Sequence, residues 1–473
     1  MRKKIIVLTI TILILVFGLI LAFLSTSPVK VAQAYQIQFI KSGGPFPVWS
    51  ATTNKITYTK KDGADDAIAK YYQVYTMNPD GSNEACLTCN KSQLANTKHR
   101  GQSYWHPSGN YIVFSAEDAS LPRHWDMDTP YEFLTVNARP GIGRNFNVWV
   151  MRADGSQFWQ ITRYPKNWGV IETKFSHDGT KIYWSEEFSM EEWPNGKLGD
   201  PKWADDPVNL PYPNGHPGNY WSLDNWDYRQ GEESGNWRNV YTSITFDANG
   251  PKVFNKNGSQ LSLPFDPTTG LGKEIYKIRP PAGNTGLPSG PGFITGFETN
   301  GFTPDDQGFI CDYSPLDEIV ASGRPRREIW GEIYTSDLQG NNLKNLTNTP
   351  AWHNEDPSYS PNGRYIIYKE STIEPGWPAE GDELFLMNAD GSNQTRITHF
   401  SVPGYSEYSS DWAQITETEW SPNGQQVVFG FGKEIPASEY GGVKWRIASD
   451  LYILSNFLSD TNPPAAPTGV AVS

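Results

Sequence analysis

The chain is poor in cysteine, in histidine and in charge, and each shortage removes a class of protein. Three cysteines in 473 residues cannot staple a disulfide-dense mini-fold, and a chain of this length buries a core without one. Seven histidines, at positions 99, 106, 124, 177, 216, 353 and 399, never take the i, i+4 or H-x-H spacing that sets two imidazoles on one metal. There is no Gly-x-Ser-x-Gly elbow, no phosphate-binding glycine loop and no zinc-protease signature, so no familiar catalytic site is legible. Charged residues make up only 19%, too few for a solvated disordered polymer. Basic side chains are the scarcer sign. Residues 1–34 hold four and no acid, which leaves 35 basic against 52 acidic side chains, a net charge of −17, over the remaining 439 residues. That balance excludes an electrostatic footprint for nucleic acid or for an anionic membrane surface.

What is abundant is glycine (43), proline (36) and aromatics, with 18 Trp, 24 Tyr and 22 Phe. Such a composition suits many short strands joined by tight turns. The start of the chain is different. Met1-Arg2-Lys3-Lys4 precedes an uncharged, apolar run from Ile5 to Leu24, predicted as an N-terminal apolar helix of about 30 Å, enough to cross a bilayer core. The basic flank holds the N-terminus inside, so the remainder is expected outside the cytoplasm: periplasmic, at the cell surface or secreted. Ala32-Gln33-Ala34 has the form of a signal-peptidase site, whereas the run exceeds the roughly 7–15 apolar residues of a signal peptide. Residues 1–34 are therefore a signal peptide or a signal anchor.

Two patterns recur. The first is an aromatic-Ser-Pro-(Asp/Asn)-Gly turn leading into an apolar strand, as in Trp105-His106-Pro107-Ser108-Gly109, Phe175-Ser176-His177-Asp178-Gly179, Tyr359-Ser360-Pro361-Asn362-Gly363 and Trp420-Ser421-Pro422-Asn423-Gly424, with degenerate copies at Trp49 and Phe302. Pro fixes φ and Asx-Gly accepts φ > 0, so each copy predicts a hairpin. The second is a strand, Asp-Gly-Ser, then Leu-Thr or Ile-Thr, ending at Thr88, Thr162 and Thr398, with a degenerate copy at Thr347. Ile275-Tyr276 and Leu451-Tyr452-Ile453 read as copies of its first strand without the turn. Alternation of the two gives a four-stranded unit, repeated radially as an all-β propeller. First-pattern copies at 49, 105, 175, 302, 359 and 420 predict six blades, with a seventh as the alternative inside the gap from 175 to 302. Tyr35–Ile40 alternates properly and is expected to supply the outer strand of the last blade, closing the ring and removing an edge.

Together these turns resemble the TolB-like propeller repeat, a WD40-like pattern, from Trp49 to Leu454. The resemblance implies a propeller over residues 35–458. It does not choose among scaffolds, binding modules and enzymes on that fold. Residues 459–473 form a Pro-rich linker whose end resembles the opening of a fibronectin type III domain.

Residues 186–245 hold five Trp (193, 203, 221, 226 and 237) and show no clean strand pair, so they are expected to form a long Trp-rich insertion. Loops this long in compact domains are commonly functional. Trp221 and Trp226 beside Asp224 and Asp227 are the candidate sugar-stacking face. In propellers of the resembling kind, the strand before the aromatic turn lies nearest the axis. Three places before the aromatics lie Gln102, Glu172, Thr299, Asp356 and Glu417, with Glu298 adjacent, and six places before lie His99 and His353. These are the candidate channel-mouth residues. Converging carboxylates repel and lift one another's pKa unless a base, water or a hard cation such as Ca²⁺ intervenes, and a histidine there could serve as an acid–base group. Cys86-Leu87-Thr88-Cys89 can close a local disulfide only if the chain turns after Thr88, since extended backbone sets the Cα atoms about 10 Å apart; free thiols or half a metal site are the alternatives. Cys311 reads as core, and His106 and His177 as surface turn residues.

Three functions fit this chemistry. The first is a non-catalytic exported module binding a protein or glycan ligand. The second is a carbohydrate-active enzyme, since oligogalacturonate lyases resemble this fold. The third is a structural module of a longer surface protein.

Overall fold

The computed structural model describes residues 35–61, 71–94, 98–120, 143, 145–165, 168–187, 237–278, 297–313, 331–349, 352–372, 381–409, 413–434 and 447–458. The N-terminal apolar segment, most of the Trp-rich insertion and the C-terminal tail lie outside them.

Within them the chain forms six antiparallel sheets. It enters through β1 (Gln36–Ser42) and then builds the first blade from β2 (Val48–Trp49), β3 (Ile56–Lys61), β4 (Tyr72–Met77) and β5 (Ala85–Cys86). The second blade has β6 (Arg100–Trp105), β7 (Tyr111–Glu117), β8 (Phe146–Arg152) and β9 (Phe158–Gln160). The third has β10 (Gly169–Phe175), β11 (Lys181–Glu187), β12 (Trp237–Asp247), β13 (Gly250–Phe254), one short helix α1 (Gly270–Lys273) and β14 (Tyr276–Ile278). Blade four is β15 (Phe297–Phe302), β16 (Gly308–Tyr313), β17 (Glu332–Asp337) and β18 (Lys344–Asn345); blade five is β19 (Trp352–Tyr359), β20 (Tyr365–Thr372), β21 (Asp382–Asn388) and β22 (Thr395–Arg396). The sixth has β23 (Ala413–Trp420), β24 (Gln426–Glu434) and β25 (Ile447–Ser455), and β1 completes it by pairing antiparallel with β25. The first strands touch in a ring, β2 to β6 to β10 to β15 to β19 to β23 and back to β2. The propeller is six-bladed.

The recurrent turns are side-chain devices. In the first pattern the hydroxyl of Ser176, Ser360 or Ser421, or of Thr303, accepts the backbone N–H five residues on at 2.9–3.0 Å. The same hydroxyl donates to the Asx side chain two residues on at 2.6–2.8 Å, an Asx/ST turn that fixes the hairpin. In the second, Ser82, Ser156 and Ser392 donate their N–H to Asp80, Asp154 and Asp390 at 2.9 Å. The terminal Thr then ties strand four to strand three. Thr88, Thr162, Thr347 and Thr398 each accept the N–H fourteen residues back, on Val74, Val148, Ile333 and Leu384, at 2.8–3.0 Å. Each also donates to the preceding side chain, Gln73, Asn147, Glu332 or Glu383.

Neighbouring blades interlock at the Asp-Gly-Ser turns. Gly155 and Gly391 have positive φ, and a methyl group there would lie 2.6 Å from Leu87 O and 2.5 Å from Leu346 O. The corresponding contact of Gly81 is with Ile40 O at 3.0 Å. β1 therefore takes the place in blade six that the Leu-Thr strand takes elsewhere.

Three expectations are corrected. Residues 186–187 end β11 and residues 237–245 are most of β12, where Val240, Ile244 and Phe246 pack inward while Ser243 and Thr245 face solvent. Ile275-Tyr276 does not open a third strand. β14 returns to pair with Asn239–Tyr241 beside β13, so the edge strand of blade three is split in two. His106 is wedged between blades rather than left in solvent, with Nε2 3.2 Å from Gly179 O and its ring against Phe175 and Phe246; His177 stays half exposed and pairs with Asp306 at 2.9 Å. The chain does turn after Thr88, and Cys86 and Cys89 form a disulfide with Cα atoms 5.6 Å apart. Cys311 is buried in blade four.

Removing residues 35–42 should strip β25 of its outer partner and expose that edge. The expected result is a lowered Tm or aggregation in a thermal scan, and an unchanged Tm would contradict closure by β1. Thr398→Val should cost about 1–3 kcal/mol in denaturant unfolding, since Leu384 N–H and Glu383 both lose a buried partner.

Candidate functional site

Counting back from the turn aromatics leads to the axis. Trp49, Trp105, Phe175, Phe302 and Trp420 are buried and Tyr359 is half-buried, each at the end of its inner strand. Three places earlier the strand is irregular. The register slips between Gly101 and Tyr104, Ile171 and Lys174, Thr299 and Gly301, Glu355 and Ser358, and Thr416 and Thr418. Gln102, Glu172 and Asp356 sit at these bulges with φ of 46°, 51° and 50°, and Phe46 holds the equivalent place in blade one with φ 60°. Left-handed backbone at a non-glycine residue is costly, and a bulge re-aims the side chain.

The bulges bring Gln102, Glu172, Asp356 and Glu417 into one polar cluster. Gln102 Nε2 donates to Glu172 Oε1 at 2.7 Å across the second and third blades. Glu172 Oε2 is 3.3 Å from Lys174 Nζ, which also donates to Asn300 O in blade four. In blade five, Lys369 Nζ lies 2.6 Å from Glu355 Oε2 and 2.8 Å from Asp356 Oδ2, while His353 Nε2 is 2.9 Å from Glu355 Oε1. Lys369 Nζ also donates to Ile415 O at 3.4 Å, and Ile415 N–H donates to Asp382 at 2.8 Å. Two ammonium groups thus stand among six carboxylates, those of Glu172, Glu355, Asp356, Asp382, Glu417 and Glu419.

The protonation states follow. Burial lifts the Glu417 carboxyl well above the usual range, and Glu172 and Asp356 lift it further against the pull of Lys174 and Lys369. Burial likewise raises Glu419 to about 7, with Lys174 holding it back, and Asp382 to about 6, with Lys369 holding it back. Burial acts on Glu355 in the same sense, but His353 and Lys369 overcome it and hold that carboxyl well below its ordinary value. Lys369 stays charged because Asp356, Glu355 and Asp382 outweigh its desolvation. Some polar atoms are left over. Among the described residues, Gln102 Oε1, Glu417 Oε2, Thr299 Oγ1 and Thr416 Oγ1 are buried atoms without a hydrogen-bond partner.

Not every expected member joins. His99 is buried between β4 and β6, where Nδ1 accepts the Tyr72 N–H at 3.1 Å and the rings of Tyr71 and Tyr72 enclose it. It shares a sequence position with His353 but not its surroundings. Glu298 pairs through its backbone with Asp312, and its side chain lies outside the described residues, as do Trp221, Trp226, Asp224 and Asp227. Among the described residues no group of three or more His, Cys, Asp or Glu side chains is placed to hold a metal ion; positive charge at the axis comes from Lys174 and Lys369. Sequence reasoning missed both lysines, together with Glu355, Asp382 and Glu419. The available signals were a single Lys in the apolar strand of Tyr365–Lys369, and a charge two places after each of Glu172 and Glu417.

No family model matches the chain, and no curated protein matches it. Among solved structures it is similar to TolB from Acinetobacter baumannii, with 13% identity and a TM-score of 0.41, covering 85% of this chain and 64% of that one. It is also similar to an oligogalacturonate lyase from Vibrio parahaemolyticus, with 11% identity and a TM-score of 0.41 over 90% and 95% of the two chains. A third similar structure is the acylaminoacyl peptidase of Pyrococcus horikoshii, at 11% identity and a TM-score of 0.39, covering 83% of this chain and 43% of that one. The chain spans 64% of the Acinetobacter TolB.

The cluster generates two predictions. Lys369→Met should cost roughly 3–5 kcal/mol in chemical unfolding, because it strands Glu355 and Asp356 in a desolvated site. A carboxyl raised in the folded state stabilises the fold below its unfolded pKa, and that stability is lost as pH rises through the folded pKa. Stability should therefore fall as pH rises from about 4, the ordinary carboxylate range, to about 7, through the values near 6 and 7 of Asp382 and Glu419. Glu419→Gln should flatten that decline, read as Tm against pH.

Proposed function

We propose that this chain is an extracytoplasmic propeller that binds, without transforming, a ligand rich in hydrogen-bond donors at its axial mouth. Unpaired polar atoms in the axial cluster carry this reading: Gln102 Oε1 is a buried acceptor without a partner, and Glu417, whose carboxyl is held protonated, leaves Oε2 without one. Sugar hydroxyls suit such a set because each donates to a carboxylate or amide oxygen while its ring lies on an aromatic face. Phe46 at the same level of blade one is half-buried and supplies a ring. The Trp221–Asp227 segment would extend that binding face. A protein partner offering an ammonium or guanidinium group meets the same acceptors, and Ca²⁺ remains an alternative occupant for the carboxylates.

A second reading is favoured by one observation. The Glu355 carboxylate, held ionised by His353 and Lys369, shares the axial cluster with a Glu417 carboxyl held protonated, and a base and an acid in one cluster are what an eliminating carbohydrate-active enzyme requires.

Glycan-array binding by the full chain, compared with Gln102→Ala and Asp356→Asn after both are shown folded by circular dichroism, separates these outcomes. The binding reading expects a parent signal that falls at least about tenfold in the variants, a loss of about 1.4 kcal/mol. Production of ultraviolet-absorbing unsaturated product from uronate oligomers would favour the enzyme instead. No parent signal on glycans or basic peptides would contradict both.

A further inference from the structure

Large apolar side chains left in water are few among the described residues. They are Phe39, Leu271, Tyr405 and Tyr408, exposed by 50%, 43%, 47% and 42%. Tyr405 and Tyr408 lie on the loop that meets Tyr35, where the chain enters the propeller, and Phe39 follows four places along β1, about 13 Å away. The Tyr35 ring lies parallel to His399 with centres 6.5 Å apart, and His399 stacks on Tyr405 at 3.9 Å and 1°. The Tyr35 hydroxyl donates to Glu407 and is 3.2 Å from His399 Nδ1. Tyr408 N–H is 3.2 Å from Tyr405 O. Phe39, four places along β1 from Tyr35, stands edge-on to Tyr452 at 5.6 Å.

The segment that presents Tyr405 and Tyr408 is braced. Ser409 N–H donates to Phe400 O at 2.8 Å and closes it into a compact loop. Phe400 N–H and Ser401 N–H donate to Glu383 at 2.9 and 2.7 Å, and the Phe400 ring packs on Phe431 at 4.3 Å. The exposed rings are held out in a fixed place. Charges at the border are engaged, Glu407 by Tyr35 and Arg396 by Glu383. The surface is therefore one of aromatic faces with hydroxyl edges and little free charge, the composition of side chains at a membrane–water interface.

What lies upstream identifies the occupant. Leu24, the end of the apolar run, is joined to Tyr35 by ten intervening residues, so it cannot lie farther from Tyr35 than about 40 Å. A run of 20 residues at about 1.5 Å each matches a bilayer core. A tether this short gives nearby groups an effective concentration in the millimolar range, so three rings suffice for docking. We infer that Phe39, Tyr405 and Tyr408 rest in the interfacial layer of the bilayer that residues 5–24 cross, making the Tyr35 side of the propeller a membrane-docking surface. The inference rests on retention of the N-terminal segment and is independent of any ligand at the axis.

The test uses the full chain, residues 1–34 included, in phosphatidylcholine nanodiscs carrying a lipid with a photoreactive group at the headgroup–acyl boundary. Adducts are mapped by mass spectrometry. Docking predicts adducts at Phe39, Tyr405 and Tyr408 but not at Leu271, which is similarly exposed on blade three. It also predicts that the double variant Tyr405→Ser/Tyr408→Ser, with its Tm unchanged, loses the Phe39 adduct to the Leu271 level. Adducts confined to residues 1–34, or equal at Leu271, would overturn it. So would protection of the three rings from hydroxyl radicals only after addition of a soluble polysaccharide, which would assign the platform to a glycan. Complete removal of residues 1–34 in cells, read from the intact mass, would overturn it too.

Discussion

Six inner strands that meet at one axis leave room only for short-range solutions to their own charge. Glu172, Asp356 and Glu417 would repel one another in so confined a space, and the cost of desolvating a carboxylate grows as water is excluded. The chain answers with Lys174 and Lys369, which reach between blades, and by keeping Glu417 protonated. The ring of blades and the ring of charge are thus one problem. Any displacement of β19 or β10 that separates an ammonium group from its carboxylates leaves buried charge uncompensated, so the inner strands hold their positions relative to one another.

Farther from the axis the constraint is geometric. Each Leu/Ile-Thr strand is bonded to the strand before it through one hydroxyl, and at Leu87 and Leu346 the next blade's glycine turn sits against the carbonyl. The first and last parts of the chain meet under the same rule, with Ile40 standing where Leu87 and Leu346 stand in their blades. The closing strand is therefore a working copy of the repeat assembled from the other end of the sequence.

The fold was legible because its instructions are local. A Ser five residues before an N–H, an Asp two residues before a Ser, and a Thr fourteen residues after its donor can be read from one segment. The axial positions were legible too, since they lie at a fixed distance from a buried aromatic. Which side chains answer them was not, because the Lys174–Asn300 and Lys369–Ile415 contacts span blades and depend on bulges that no single segment declares. Position alone misled for His99, which equals His353 in sequence yet is enclosed by Tyr71 and Tyr72. Period-two strand β12 was hidden at the edge of a Trp-rich stretch, and His106 was misread because its partner Gly179 lies in the next blade.

At the axis Lys369 and Asp356 hold each other in place through a 2.8 Å ion pair. A double-mutant cycle with Lys369→Met and Asp356→Asn, followed by urea unfolding, measures that coupling directly. An interaction energy of about 2 kcal/mol or more is expected, and additivity to within about 0.5 kcal/mol would contradict the pairing.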